Sequence, residues 1–199
     1  MALGGVVAVR GVTSGWAWRE ELEAETPLGI AWLPDEVGRH RSLILRSAVA
    51  HQVDPMLIAI IILVESRGNP AAQSPVGARG LMQVMPATGR FIAKRRDVPF
   101  SSANALFDPS VNVDFGTWFL GELLDKFARR DFNQTVELAA GAYNGGPARM
   151  RRHLDKGRKL PLETRRYMET VGGLWRERYL DVSPTLGRLW PAKGPSGHA

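Results

Sequence analysis

The stretch from Asp54 to Pro86 constrains the fold more than any other part of the chain. "DPMLIAIIILVES" is apolar from Met56 to Val64, ends in Glu65, and passes into "RGNPAAQSPVGARGLMQVMP", a loop full of Gly, Pro, Asn and Ser. Asp54 followed by Pro55 is a helix start. The carboxylate accepts from an orphan N–H of the first turn, and proline has no N–H to leave unpaired. A helix that is apolar on every face is stable only inside a core, so the pattern predicts a buried central helix. A carboxyl at the mouth of such a helix is costly to ionise, and desolvation raises its pKa until it can stay protonated near neutrality. A general acid needs that property. A glutamate at a helix end is ordinarily a solvated carboxylate, but packing alone does not call for the loop that follows. Ser74, Gly77, Gly80 and Gln83 suit a groove lined by close backbone approach and amide hydrogen bonding, a pattern fitted to sugars.

Around this centre the chain reads as helical. "RHRSLILRSAVAHQ" places Leu43, Leu45, Ala48 and Val49 at near-helical spacing. A short helix starts at Pro86. Asp108 and Pro109 form a second cap pair, before a stripe of Val113, Trp118, Leu120, Leu123, Leu124 and Phe127. "NQTVELAAGAYNGGPARMRRHL" predicts a helix that breaks at "NGGP" and restarts, and "LETRRYMETVGGLWRERYL" predicts the last long one. No run alternates as strands do, so the fold class is mainly α. The expected organisation is an irregular leader over 1–34, one domain over 35–181, and a flexible Pro- and Gly-rich tail over 182–199.

The chain has 199 residues, 44% of them hydrophobic, which is enough for one well-packed core. Its charge of +6 points to an acidic polymer as partner: nucleic acid, an anionic membrane surface or an acidic wall strand. The basic segment Ala148–Lys159 is the place for such an attraction, or else a solvated charged face. It carries no aromatic platform and no reader motif, which argues against nucleic acid. Cysteine is absent, so disulfides and thiolate metal sites are excluded. His40, His51, His153 and His198 lack ligand spacing, and the glycines form no phosphate loop, so neither metal nor cofactor is expected. The patch Leu3–Val9 is interrupted by Arg10 and has no export cleavage site. No window approaches the about 18 uninterrupted apolar residues of a membrane span, so a soluble domain is expected.

Three motifs in order, "ESRGNPAAQSPVGARGLMQVMPATG", "AAGAYNGGPARM" and "ETRRYM", resemble the catalytic domain of soluble lytic transglycosylases of the lysozyme superfamily. The resemblance covers roughly Asp35 to Leu180. It implies a lysozyme-like single domain whose central helix carries the one catalytic acid/base, Glu65. It further implies that Ser74 and Gln83 contact N-acetyl and hydroxyl groups of bound sugar, and that Met85 forms an apolar wall. Tyr143 and Asn144 would orient substrate, while Glu163 and Tyr167 supply a binding carboxylate and a tyrosine near the acid. Gly145 stands where the family more often has alanine, a change expected to loosen the turn.

Most glycosidases use two carboxylates. The resemblance implies one, because the substrate's own N-acetyl group and 6-hydroxyl take the remaining roles, leaving 1,6-anhydromuramyl ends and consuming no water. Peptidoglycan strands are then the partner, no cofactor is needed, and the expectation is a monomer in the periplasm or cell envelope: a periplasmic enzyme with a misread start, an enzyme delivered by a partner such as cell-envelope machinery, or a phage-encoded one. Two other readings stay open: a hydrolytic muramidase using Glu163, and a wall-binding or assembly module of a secretion machine or phage particle.

Overall fold

The computed structural model describes residues 28–190. The described residues form helices and no strand; two isolated antiparallel bridges, Gln73 with Arg79 and Arg79 with Val84, are the whole of their extended pairing. A short α1 (Asp35–Gly38) leads into α2 (Arg41–His51) and then α3 (Pro55–Ser66). A long loop separates α3 from α4 (Pro86–Arg96). A 3₁₀ helix (Ala103–Phe107) precedes α5 (Pro109–Lys126), α6 (Phe132–Gly145) and α7 (Pro147–Lys156). Helix α8 (Leu162–Arg176) and a short α9 (Pro184–Leu189) complete the described chain.

Helix α3 is the axis. Asp54 accepts from the Met56 N–H at 2.8 Å, Pro55 occupies the first turn, and Leu57 through Leu63 are all at most 1% exposed. At about 2 kcal/mol for each buried aliphatic side chain, this one segment contributes a large share of the core. Helices α1, α2 and α8 pack against it. A satellite core under α7 gathers Leu123, Phe127, Ala139, Ala142, Met150 and Leu160, so α5, α6 and α7 are held together away from the axis.

Several expectations change. In α2 the inward residues are Ile44, Ser47 and Ala48, while Val49 is 52% exposed. The helical phase is set by Ile44: Ala48 is buried and Leu43 and Leu45 pack partly buried against the core as the pattern expects, and of the four only Val49 turns outward. The last long helix ends at Arg176 rather than running to Leu180, because Glu177 turns its carboxylate to cap the next element. The expected flexible tail is in part ordered. Ser183 accepts from the Leu186 N–H at 3.0 Å, starting α9, and Thr185 seats that helix against Gly173. Residues 191–199, like the proposed leader up to residue 27, lie outside the described residues. Within that leader Leu28 and Ile30 are buried, which ties at least this stretch to the core.

Candidate active site

Glu65 sits in the last turn of α3, and the exit from that turn is clamped. Arg67 takes the left-handed conformation (φ 54°) as C-cap, its N–H returning to the Leu63 carbonyl. Gly68 follows at φ 78°, and a Cβ there would run into the Glu36 carbonyl of α1. The ring of His40 meets the Gly68 carbonyl at 2.9 Å. These contacts set the path by which the chain leaves α3, two residues beyond Glu65.

The following loop is self-bracing. Ser74 Oγ accepts from the Ala78 N–H at 3.0 Å, and Gln83 Nε2 donates to the carbonyls of Ala72 (3.1 Å) and Gly80 (2.9 Å). Gln83 holds a left-handed φ of 47°, a strained state for a non-glycine residue of the kind that clusters at functional sites. Beneath it lies a residue that sequence reasoning missed. Asn112 on α5 is fully buried; its Oδ1 accepts from the Met82 N–H at 2.7 Å, and its Nδ2 donates to the Arg79 (2.7 Å) and Leu106 (2.8 Å) carbonyls. The signal was faint: Asn112 stands just before the apolar stripe of α5, one turn ahead of Gly116 on the same buried face, and a polar group on a buried face must be paired. Gly80, expected at the groove surface, is instead buried, because a Cβ would collide with the Asn112 amide and the Leu106 carbonyl.

From the other side, α6 and α8 bring two phenols. Tyr143 donates its hydroxyl to the Met82 carbonyl at 2.9 Å and tilts against Phe119. Tyr167 donates to Glu65 Oε1 at 2.6 Å. Burial pushes the Glu65 carboxyl up to about 7; the Tyr167 hydrogen bond opposes the shift and the charge of Glu163 adds to it. Both tyrosines are raised well above the usual phenol value by burial and by the Glu65 charge, so they remain donors. Glu163, one turn before Tyr167, is exposed. Glu65, Tyr167, Tyr143 and Glu163 thus form one electrostatic unit. Ser74 and Gln83 are joined to it through the braced loop, and Met85 stands 38% exposed at the loop's end. Asn144 ends α6 partly buried, beside Tyr143. Gly145 also has a packing role: a Cβ there would stand 2.8 and 2.9 Å from Thr164 Cγ2 and Oγ1, so α6 and α8 approach closely at this position. No three His, Asp or Glu among the described residues are placed to share a metal ion. A carboxyl that titrates near neutrality beside a permanent hydroxyl donor can give a proton and take one back within a single turnover.

The soluble lytic murein transglycosylase of Escherichia coli K12 is 31% identical over 146 residues, which is 73% of this chain and 20% of that protein. The chain therefore spans about a fifth of the length of that relative. A transglycosylase of Enterobacteria phage PRD1 is 37% identical over 100 residues, covering 50% of this chain and 32% of its own. The X-ray structure of an inactive mutant of lytic transglycosylase Slt from Pseudomonas aeruginosa superposes with a TM-score of 0.59 at 30% identity, over 73% of this chain and 25% of that one. The family model described as "Transglycosylase SLT domain" matches residues 42–164, and with that span from α2 into α8 the chain belongs to the transglycosylase SLT domain family.

Proposed function

We propose that this chain cleaves the bond between N-acetylmuramic acid and N-acetylglucosamine in peptidoglycan as a lytic transglycosylase, with Glu65 as its single acid and base. The observation that carries this reading is the Glu65 carboxyl, desolvated at the end of the buried helix, raised to about 7 and held by Tyr167. Tyr167 occupies Oε1, which leaves Oε2 to carry the proton. The protonated carboxyl donates to the glycosidic oxygen as the C1–O4 bond breaks, and the substrate N-acetyl group steadies the anomeric centre. The resulting carboxylate then takes the proton of the muramyl C6 hydroxyl as that oxygen attacks C1. One bond forms and one breaks, the proton passes from the 6-hydroxyl to the leaving 4-hydroxyl through Glu65, and no water enters.

In this reading Met85 and Asn144 bind the strand, together with the groups of Ser74 and Gln83 that the loop's bracing leaves over, the Ser74 hydroxyl hydrogen and Gln83 Oε1. Tyr143 holds the Met82 carbonyl edge of the groove, and burial sets the protonation of Glu65, which Tyr167 and Glu163 adjust in opposite directions. The names of the relatives, murein transglycosylases of bacteria and a transglycosylase of a phage, support a site of action at the cell envelope, and the proposal takes the chain to work there as a monomer. One observation favours a second reading: the charge of Glu163 reaches Glu65, so a hydrolytic use of two carboxylates is the competitor. Mass analysis of fragments released from purified peptidoglycan decides. Anhydro products one water lighter than hydrolysed ones, lost with Glu65→Gln, are expected. Reducing, hydrated ends would replace the proposal with a muramidase, and binding without release would replace it with a wall-binding module.

A further inference from the structure

The charge of this protein is concentrated in one place. Between Ala148 and Arg166 stand eight Lys and Arg against two acids, Asp155 and Glu163, a balance of +6 that equals the net charge of the whole chain. The remaining residues therefore cancel. Arg149, Arg151, Arg152 and Lys156 lie on α7, Arg158 and Lys159 on the link to α8, and Arg165 and Arg166 on α8; all eight are exposed. None uses its side chain in an ion pair or hydrogen bond among the described residues. Helix α7 buries only Met150 against α6, which leaves its basic faces in solvent.

Stability does not account for this arrangement. Arg149, Arg152 and Lys156 follow one another at spacings of three and four, where like charges repel by a few tenths of a kcal/mol per pair. Arg165 and Arg166 stand near the N-terminal end of α8, the end whose dipole disfavours cations. The surface also abuts the site. Helix α7 begins directly after the Asn144–Gly146 end of α6. On α8, Arg166 lies one turn from Glu163, whose charge Glu65 feels.

We infer that this surface docks the carboxylates of the peptide stems carried by the glycan strand in the groove. The inference rests on the peptidoglycan reading of the site. Six of the eight cations are arginines, whose planar fork grips a carboxylate through two parallel hydrogen bonds. Stems project sideways from a glycan strand, so a basic face beside the groove meets them while the sugar chain lies along Glu65. The segment contains no Phe, Trp or Tyr on which a nucleic-acid base could stack. Leu154 and Leu162 are exposed within it, and they make an anionic bilayer the rival occupant.

The test is co-sedimentation in the Glu65→Gln background, which leaves substrate intact, using peptidoglycan with its stems and glycan strands stripped of stems by an amidase. The first variant neutralises α7 (Arg149→Gln, Arg151→Gln, Arg152→Gln, Lys156→Gln), the second Arg165→Gln with Arg166→Gln; unchanged thermal melts verify folding. Neutralising α7 is expected to weaken binding to stemmed material about tenfold, as is raising salt from about 0.05 to 0.3 M, with a much smaller change on stripped strands, which keep only the lactyl carboxylates that the amidase frees on the sugar itself. Equal loss on both substrates, no loss on either, or a loss confined to phosphatidylglycerol vesicles would overturn the inference. Fragment release by the chain with Glu65 intact is read in parallel. Its failure together with binding failure would overturn the peptidoglycan reading itself, whereas release with unaltered stem binding overturns the docking surface alone.

Discussion

Burial keeps the proton on Glu65 until about pH 7 in the folded chain, against an ordinary value of 4.5. The folded state thus holds a proton that the unfolded state releases between those values. The stability cost is absent below about pH 4.5, grows as pH rises, and is complete above 7, at most about 3 kcal/mol. Glu65→Gln removes the titration. Its stability should match that of the unaltered chain at pH 4 and exceed it at pH 8, as read from denaturant midpoints; a pH-independent difference would deny that burial sets this pKa. Tyr167→Phe tests the opposing contribution. The phenol favours the carboxylate, so its loss raises the Glu65 pKa further and moves the alkaline limb of the pH–rate profile upward, while the rate falls roughly tenfold for want of a fixed carboxyl orientation. Glu65 was legible in the sequence because its environment is local, an all-apolar helix ending in an acid. Tyr167 was not legible from spacing: it lies 102 positions away and entered only through the resemblance of "ETRRYM" to a family motif.

The loop after α3 and the helix α5 act as one element, joined by Asn112. Replacing Asn112 with leucine removes three hydrogen bonds and strands the Met82 N–H and the Leu106 carbonyl in the core, while the Arg79 carbonyl keeps its bond from the Val84 N–H. At 1–3 kcal/mol for each buried unsatisfied group, softened by relaxation, a loss of about 3 kcal/mol is expected in chemical unfolding. Met82 also carries the carbonyl that receives Tyr143, so the loop edge nearest the site should move as well. Composition identified this loop as special but assigned its glycines and polar side chains to the groove. The structure assigns Gly80, Ser74 Oγ and Gln83 Nε2 to the loop's own bracing, because each is within reach of a backbone partner that only the folded chain brings near. Gly145 is the same lesson between helices. Its contact with Thr164 predicts that Gly145→Ala destabilises by about 1 kcal/mol despite alanine's better helix propensity. Adding Thr164→Ala should recover most of that loss, so the pair is non-additive in a double-mutant cycle.

For the whole molecule, the mainly α class, the central helix and the break at "NGGP" were legible because each follows from a short pattern of apolar residues and breakers. The closure of the chain on itself was not, since it depends on groups far apart in sequence. The Trp32 indole donates to the Glu177 carbonyl at 2.9 Å, while the Glu177 carboxylate accepts from Ser183 Oγ at 2.5 Å and from Thr185 N and Oγ1 at 3.0 and 2.8 Å. Helix α9 is carried in this way to Trp190, over whose ring the Arg67 guanidinium stacks at 4.4 Å. Arg67 is the cap of the helix that bears Glu65, so the described end of the chain braces the site. Burial raises the Glu177 carboxyl pKa, but the bonds from Ser183 and Thr185 prevail and leave it below its usual value. A depressed carboxylate stabilises above its unfolded pKa and loses that contribution as pH falls through the folded one. Glu177→Gln should therefore speed amide exchange across Pro184–Trp190 by tenfold or more at pH 6. The gap should narrow as pH falls through the folded-state value of Glu177, which the Ser183 and Thr185 bonds hold below the usual carboxylate range. Because α9 then releases Arg67, fragment release should slow in kcat while KM holds; unchanged exchange at pH 6 would show that Glu177 does not carry the clasp.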